Sequence, residues 1–115
     1  MIEDSKKLCD LLIAALEDKK AIDPEIVDVS EDSSIADAFI ITSGNSDTHM
    51  NTLLRAADEA LISQGLQPKI EGENSTQWIL IDGGDVIVHI FSVKAREYYS
   101  IEKIYEGLKA ARQPQ

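Results

Sequence analysis

The sequence is short of basic residues: 11 Lys and Arg stand against 21 Asp and Glu, for a net charge of −10. Nucleic-acid binding depends on Lys and Arg that displace counterions from phosphates. Here no basic cluster exceeds a pair, at Lys6-Lys7 and Lys19-Lys20, so direct binding of RNA or DNA is not expected. An acidic body suits a basic partner, because complementary fields speed encounter, although acidity can also serve solubility alone. Cysteine is nearly absent. The lone thiol, Cys9, makes neither an internal disulfide nor a cysteine metal cluster, which points to a reducing, cytoplasmic setting. With no His or Asp partner at catalytic spacing it reads as a helix-packing residue rather than a nucleophile. Long apolar runs are missing too. None approaches the roughly 20 residues that cross a bilayer, so no membrane association is expected. The start Met1-Ile2-Glu3-Asp4-Ser5 carries no basic region before an apolar stretch, which argues against a signal or transit peptide.

What is present is ordinary globular material. A chain of 115 residues, 43% hydrophobic and 28% charged, suits one domain, 1–115, around one core. Leu8, Leu11, Leu12, Ala15 and Leu16 recur at helical spacing over 3–19, and Asp23-Pro24 breaks the pattern. Residues 25–30 and 38–43 are rich in β-formers. Gly44-Asn45-Ser46-Asp47 is a turn whose Ser46 or Asp47 can cap a second helix. That helix carries Met50, Leu53, Leu54, Ala57 and Leu61, and Gly65 ends it at a left-handed cap. A short strand is expected near 67–71, and firmer strands at 77–82 and 86–91. A last helix from about Lys94 would put Tyr98, Ile101, Tyr105 and Leu108 on one face. The order αββαβββα predicts an α/β fold, with helices packed on a mixed sheet of about five strands.

The last two strands flank Gly83-Gly84. If those glycines form a two-residue turn, Ile81 faces Val86, Leu80 faces Ile87 and Trp78 faces His89. Cross-strand partners share a face. One face then carries Ile79, Ile81, Val86, Val88 and Ile90, which is purely aliphatic core. The other carries Trp78, Leu80, Ile87 and His89, with Asp82 and Asp85 at the turn end. Left uncovered, that face is a partner-binding patch with Trp78 as its anchor. Covered by a helix, it is a second core.

Chemical motifs are weak. Ser43-Gly44-Asn45-Ser46-Asp47, between a strand and a helix, has the placing of a phosphate-cradling loop but neither the glycines nor the lysine of a P-loop. A magnesium-dependent nucleotidyltransferase using this loop with Asp82 and Asp85 is the alternative reading, and it lacks converging carboxylates. His49 and His89 make neither a zinc site nor a triad. Asp82-Gly-Gly-Asp85 offers too few oxygens for calcium and reads as turn chemistry. No catalysis, metal or cofactor is expected.

Several blocks arrive in a recognisable order: Asp28-Val29, Ala36-Asp37-Ala38-Phe39-Ile40-Ile41-Thr42-Ser43-Gly44, Glu71-Gly72, and Trp78-Ile79-Leu80-Ile81-Asp82. Gly84-Asp85-Val86-Ile87-Val88-His89-Ile90-Phe91 and Arg96-Glu97-Tyr98-Tyr99-Ser100-Ile101-Glu102 complete them. From Asp28 to Tyr105 the chain resembles the ribosomal silencing factors, or Iojap-like proteins. The resemblance implies a nucleotidyltransferase-like fold without its catalytic residues. It also implies binding to ribosomal protein L-fourteen on the large subunit, a steric block to subunit joining that lowers translation when nutrients are scarce, and frequent homodimers. The residues expected to meet the partner are Trp78, Leu80, Asp82, Ile87 and His89, followed by Tyr98 and Tyr99. Two departures stand out. Ser46-Asp47-Thr48-His49 replaces a run that commonly carries Arg, so RNA contact by that loop is not expected. Ile104-Tyr105 replaces Leu-Trp, a swap within a packing role.

Overall fold

The computed structural model describes residues 1–31, 35–100 and 103–104. Within them the chain runs α1 (Glu3–Asp18), β1 (Ile22–Asp28), β2 (Ala38–Gly44), α2 (Asp47–Ser63), β3 (Lys69–Glu71), β4 (Trp78–Asp82), β5 (Val86–Ser92) and α3 (Val93–Tyr98). The five strands form one sheet in the order β1-β2-β5-β4-β3. β2 and β5 pair parallel, and the other described pairs are antiparallel. The mixed α/β sheet matches the expected element order.

Both boundaries of α2 have a local cause. Ser46 caps α2, its hydroxyl accepting from the His49 N–H at 3.0 Å, and Gly65 at φ +78° supplies the left-handed exit. The expected stripe Met50, Leu53, Leu54, Ala57 and Leu61 is the buried side of α2. In α1 the buried line is Ser5, Cys9, Leu12 and Leu16, so the stripe is turned from the expected one, and Leu11 reaches solvent. Cys9 is core, and burial pushes its thiol up to about 11, which makes it a poor nucleophile.

α1 and α2 cover one sheet face, where Ile40, Ile79, Ile81, Val86, Val88 and Ile90 are fully buried. The entry to β2 is tied across the fold. Asp37 accepts from the Ser5 hydroxyl at 2.8 Å, and the Asp37 and Ala38 N–H groups both donate to the Asp85 carbonyl.

The hairpin register differs from the expected one. Trp78 lies opposite Phe91 rather than His89, Leu80 opposite His89, and Ile81 opposite Val88. The turn is Gly84-Asp85, not Gly83-Gly84: the Gly83 N–H donates to the Val86 carbonyl at 3.0 Å. Gly84 has φ +94°, as the first central residue of a two-residue hairpin turn needs, and Asp82 Oδ1 accepts from its N–H at 2.9 Å. Gly83 is held for a different reason. A Cβ there would stand 2.8 Å from Leu61 Cδ2 and 3.0 Å from the Val86 carbonyl oxygen. Gly83→Ala should therefore cost about 1–3 kcal/mol by overpacking, read as a lower urea midpoint with an unchanged slope. The slip moves each partner by two residues, so the face assignments survive.

The helix expected from about Lys94 is broken at Tyr99 and Ser100, and Lys103 and Ile104 are helical again. α3 ends at Tyr98, which is 66% exposed, and Tyr99 is extended at φ −87°, ψ 119°. Tyr99 leaves the helix to stack on Trp78 and Phe91, with ring centroids 4.9 and 5.4 Å away. That tertiary contact overrides the helical period. Ile101, Tyr105 and Leu108 lie outside the described residues.

Candidate docking surface

The second sheet face can be read in rows from the strand register. One row is Val27, Phe39, Ile87, Asp82 and Lys69, and the next is Glu25, Ile41, His89, Leu80 and Glu71. Ser43, Phe91 and Trp78 continue it. The middle of this face is covered. Ala95 of α3, with Ile104, Val29 and Ala36, packs on Phe39, Ile41, Ile87 and Phe91 as a second core. Ile87 and His89 are 0% exposed and Leu80 is 8% exposed. The expectation of an open patch centred on Leu80, Ile87 and His89 is thus corrected, because α3 folds back over the parallel β2–β5 pair. Ile87 and His89 lie beneath the surface, not on it.

What stays accessible lies at the β4 end. Trp78 and Tyr99 are half-buried, and Asp82 is partly exposed. Tyr98 and the loop Gly72-Glu73-Asn74 are exposed. Trp78 sits in an aromatic cluster with Phe91, Tyr99 and His89 at centroid separations of 5.3, 4.9 and 5.8 Å. Tyr98 stands edge-on to Tyr99 at 5.1 Å and carries the Lys103 ammonium 3.8 Å over its ring. Glu71, opposite Leu80, gives this aromatic end an acidic flank, and Asp82 lies at the other end of β4 with Lys69 opposite it. The structure brings Trp78 and Tyr99 together and places Tyr98 next to them. Asp82 stands four residues along β4 from Trp78.

His89 is the unusual group beneath this surface. The Trp78 indole N–H donates to His89 Nδ1 at 3.1 Å. Burial holds the imidazole neutral, with its pKa lowered to about 3. Its Nε2 is buried and has no hydrogen-bond partner among the described residues. Phe39 meets the ring at 71° with centroids 4.8 Å apart.

The loop at the α2 N-terminus is occupied by its own side chains. His49 Nδ1 accepts from the Asn45 N–H at 2.9 Å, and its Nε2 lies 2.8 Å from the Lys19 carbonyl. The imidazole therefore clamps the end of α1 to the start of α2, a role that sequence reading did not assign. Arg96 is a second such clamp. Its guanidinium donates to the Ile22 and Asp23 carbonyls at 2.8 and 2.6 Å and lies 3.6 Å from Glu25. It thereby fastens α3 to the irregular start of β1, where the ladder shifts between Ile22 and Glu25. Among the described residues no three His, Cys, Asp or Glu side chains are placed to hold a metal.

The protein is thus an α/β sheet with two helices on one face and a short helix on the other, ending in a half-covered aromatic edge. Residues 2–115 match the family model described as ribosomal silencing factor during starvation, and the chain belongs to that family. It is a family of regulators, not of enzymes. A ribosomal silencing factor of Bacillus subtilis is 36% identical over 103 residues, covering 89% of this chain and 87% of that protein. A crystal structure of a Chromobacterium violaceum protein superposes with a TM-score of 0.81 at 32% identity, covering 96% of this chain and 89% of that one. A mouse protein named for mitochondrial assembly of the ribosomal large subunit is 27% identical over 100 residues, and the match spans 44% of its length.

Proposed function

We propose that this chain is a cytoplasmic translation repressor that docks on ribosomal protein L-fourteen of the large subunit and blocks joining of the small subunit, lowering translation under nutrient limitation. The observation that carries the reading is the aromatic edge of Trp78 and Tyr99, left half-covered beside Tyr98 and flanked by Glu71, with Asp82 further along β4, in a member of a silencing-factor family. Occlusion needs no reaction, only affinity and position. Trp and Tyr are the residue types most often found as interface anchors, and a net charge of −10 complements a basic partner. Trp78, Tyr98, Tyr99 and Asp82 make direct contact in this reading. Leu80, Ile87 and His89 support them from below. Self-association through the same edge would compete with docking.

Subunit joining followed by light scattering tests the proposal. Added protein should lower the yield of joined ribosomes in proportion to large subunits occupied. Joining at an unchanged rate and yield with saturating protein would refute the block. Salt separates steering from holding. The screening length falls from about 10 Å at 0.1 M to about 3 Å at 1 M, so association should slow as salt rises while dissociation changes less. An association rate indifferent to salt would make the negative charge a solubility feature only.

A further inference from the structure

We infer that His89 is a positioning residue for the docking surface: its Nδ1 accepts the Trp78 indole N–H and fixes the half-buried ring in one orientation before any partner arrives. The inference rests on the docking reading above and deepens it. Trp78 and His89 are diagonal neighbours on one face of the β4–β5 pair, and their hydrogen bond measures 3.1 Å. The imidazole is fully enclosed, so it offers the partner no atom of its own. With Nδ1 accepting, the neutral ring carries its proton on Nε2, and that buried N–H has no hydrogen-bond partner among the described residues. A buried donor left unsatisfied is destabilising. An aliphatic side chain would fill this apolar place without that penalty, between Phe39 and Phe91. What the aliphatic chain cannot do is accept from the indole. The histidine therefore serves the orientation of Trp78 rather than the stability of the core. A preorganised aromatic anchor binds more tightly because less rotameric freedom is lost on docking.

The test uses His89→Leu, His89→Asn, Trp78→Phe and the Trp78→Phe/His89→Leu pair, each compared with the unaltered chain by urea unfolding and by binding to purified large subunits. Asn keeps an acceptor near the Nδ1 position, Leu removes it, and Phe removes the donor. His89→Leu should fold with unimpaired stability near neutral pH yet bind roughly fivefold more weakly, the effect of one hydrogen bond. His89→Asn should recover most of that loss. In the Trp78→Phe background, His89→Leu should weaken binding no further. Trp78 is the chain's only tryptophan, so the free protein shows one indole N–H resonance. That resonance should shift and broaden in His89→Leu and stay sharp in His89→Asn. Unchanged affinity per folded molecule in His89→Leu, an equal loss in the Trp78→Phe background, or an unmoved indole resonance would each overturn the assignment. Full affinity in Trp78→Ala would instead overturn the docking reading, and the indole resonance would still show whether His89 holds the ring.

Discussion

Replacing Trp78 by Ala should weaken binding to the large subunit by roughly thirtyfold or more, since truncating an interface anchor costs about 2 kcal/mol or more. The free protein should also lose stability, but less than a fully buried Trp would cause. The ring is half-buried against Phe91 and Tyr99, so about 2 kcal/mol is expected, compared with about 3–5 kcal/mol for complete burial. The two effects are separated by measuring urea unfolding of the free variant and then normalising its affinity to the folded fraction. Weak binding by molecules that remain folded supports the aromatic edge as the docking site. Full affinity of the folded fraction would place docking elsewhere and leave Trp78 as a packing residue.

Acid should destabilise the fold well above the carboxylate range, and His89 should be the cause. In the unfolded chain a histidine takes up a proton below about pH 6.5. In the folded chain, burial among Phe39, Trp78 and Phe91 lowers that pKa to about 3. Between those values the unfolded state binds more protons, so stability falls as pH falls. The contribution is flat above about pH 7. It is lost progressively as the pH drops from 6.5 towards 3, by up to about 1.4 kcal/mol per pH unit. Below about pH 4, Asp28 adds to the loss, because hydrogen bonds from the Ser30 hydroxyl and N–H hold its carboxyl below the usual range. Urea midpoints at pH 7, 5.5 and 4 measure the slope. His89→Leu should flatten it between pH 7 and 4.5. An equal slope in the variant would show that another group governs the acid response.

The strands and the first two helices were legible because period and breakers agree locally. The five apolar residues of α2 and its Ser46 and Gly65 boundaries stand in the sequence as they do in the fold. The hairpin faces were legible as well, since an error of two residues leaves each side chain on its own side. The register was not. Gly83-Gly84 permits a turn at either of two places, and the choice depends on how closely Gly83 approaches Leu61 on α2. α3 misled for a similar reason: the helical spacing of Tyr98 with later residues is real, but Trp78 and Phe91 capture Tyr99 and end the helix. The His49 clamp depends on a carbonyl 30 residues away, and the Arg96 clamp on carbonyls more than 70 residues away. For the surface, the sequence singled out Trp78 and its strand neighbours. Which of them reach solvent depends on where α3 lies. That left Ile87 and His89 among the expected contact residues, although both are enclosed.

The most direct measurement is co-sedimentation with ribosomal particles on sucrose gradients, with small subunits, large subunits and joined ribosomes resolved. The protein should travel with free large subunits, be absent from joined ribosomes, and leave the large-subunit peak when Trp78 is replaced by Ala. Recovery with small subunits alone, with joined ribosomes, or with none of the particles would contradict docking on the large subunit.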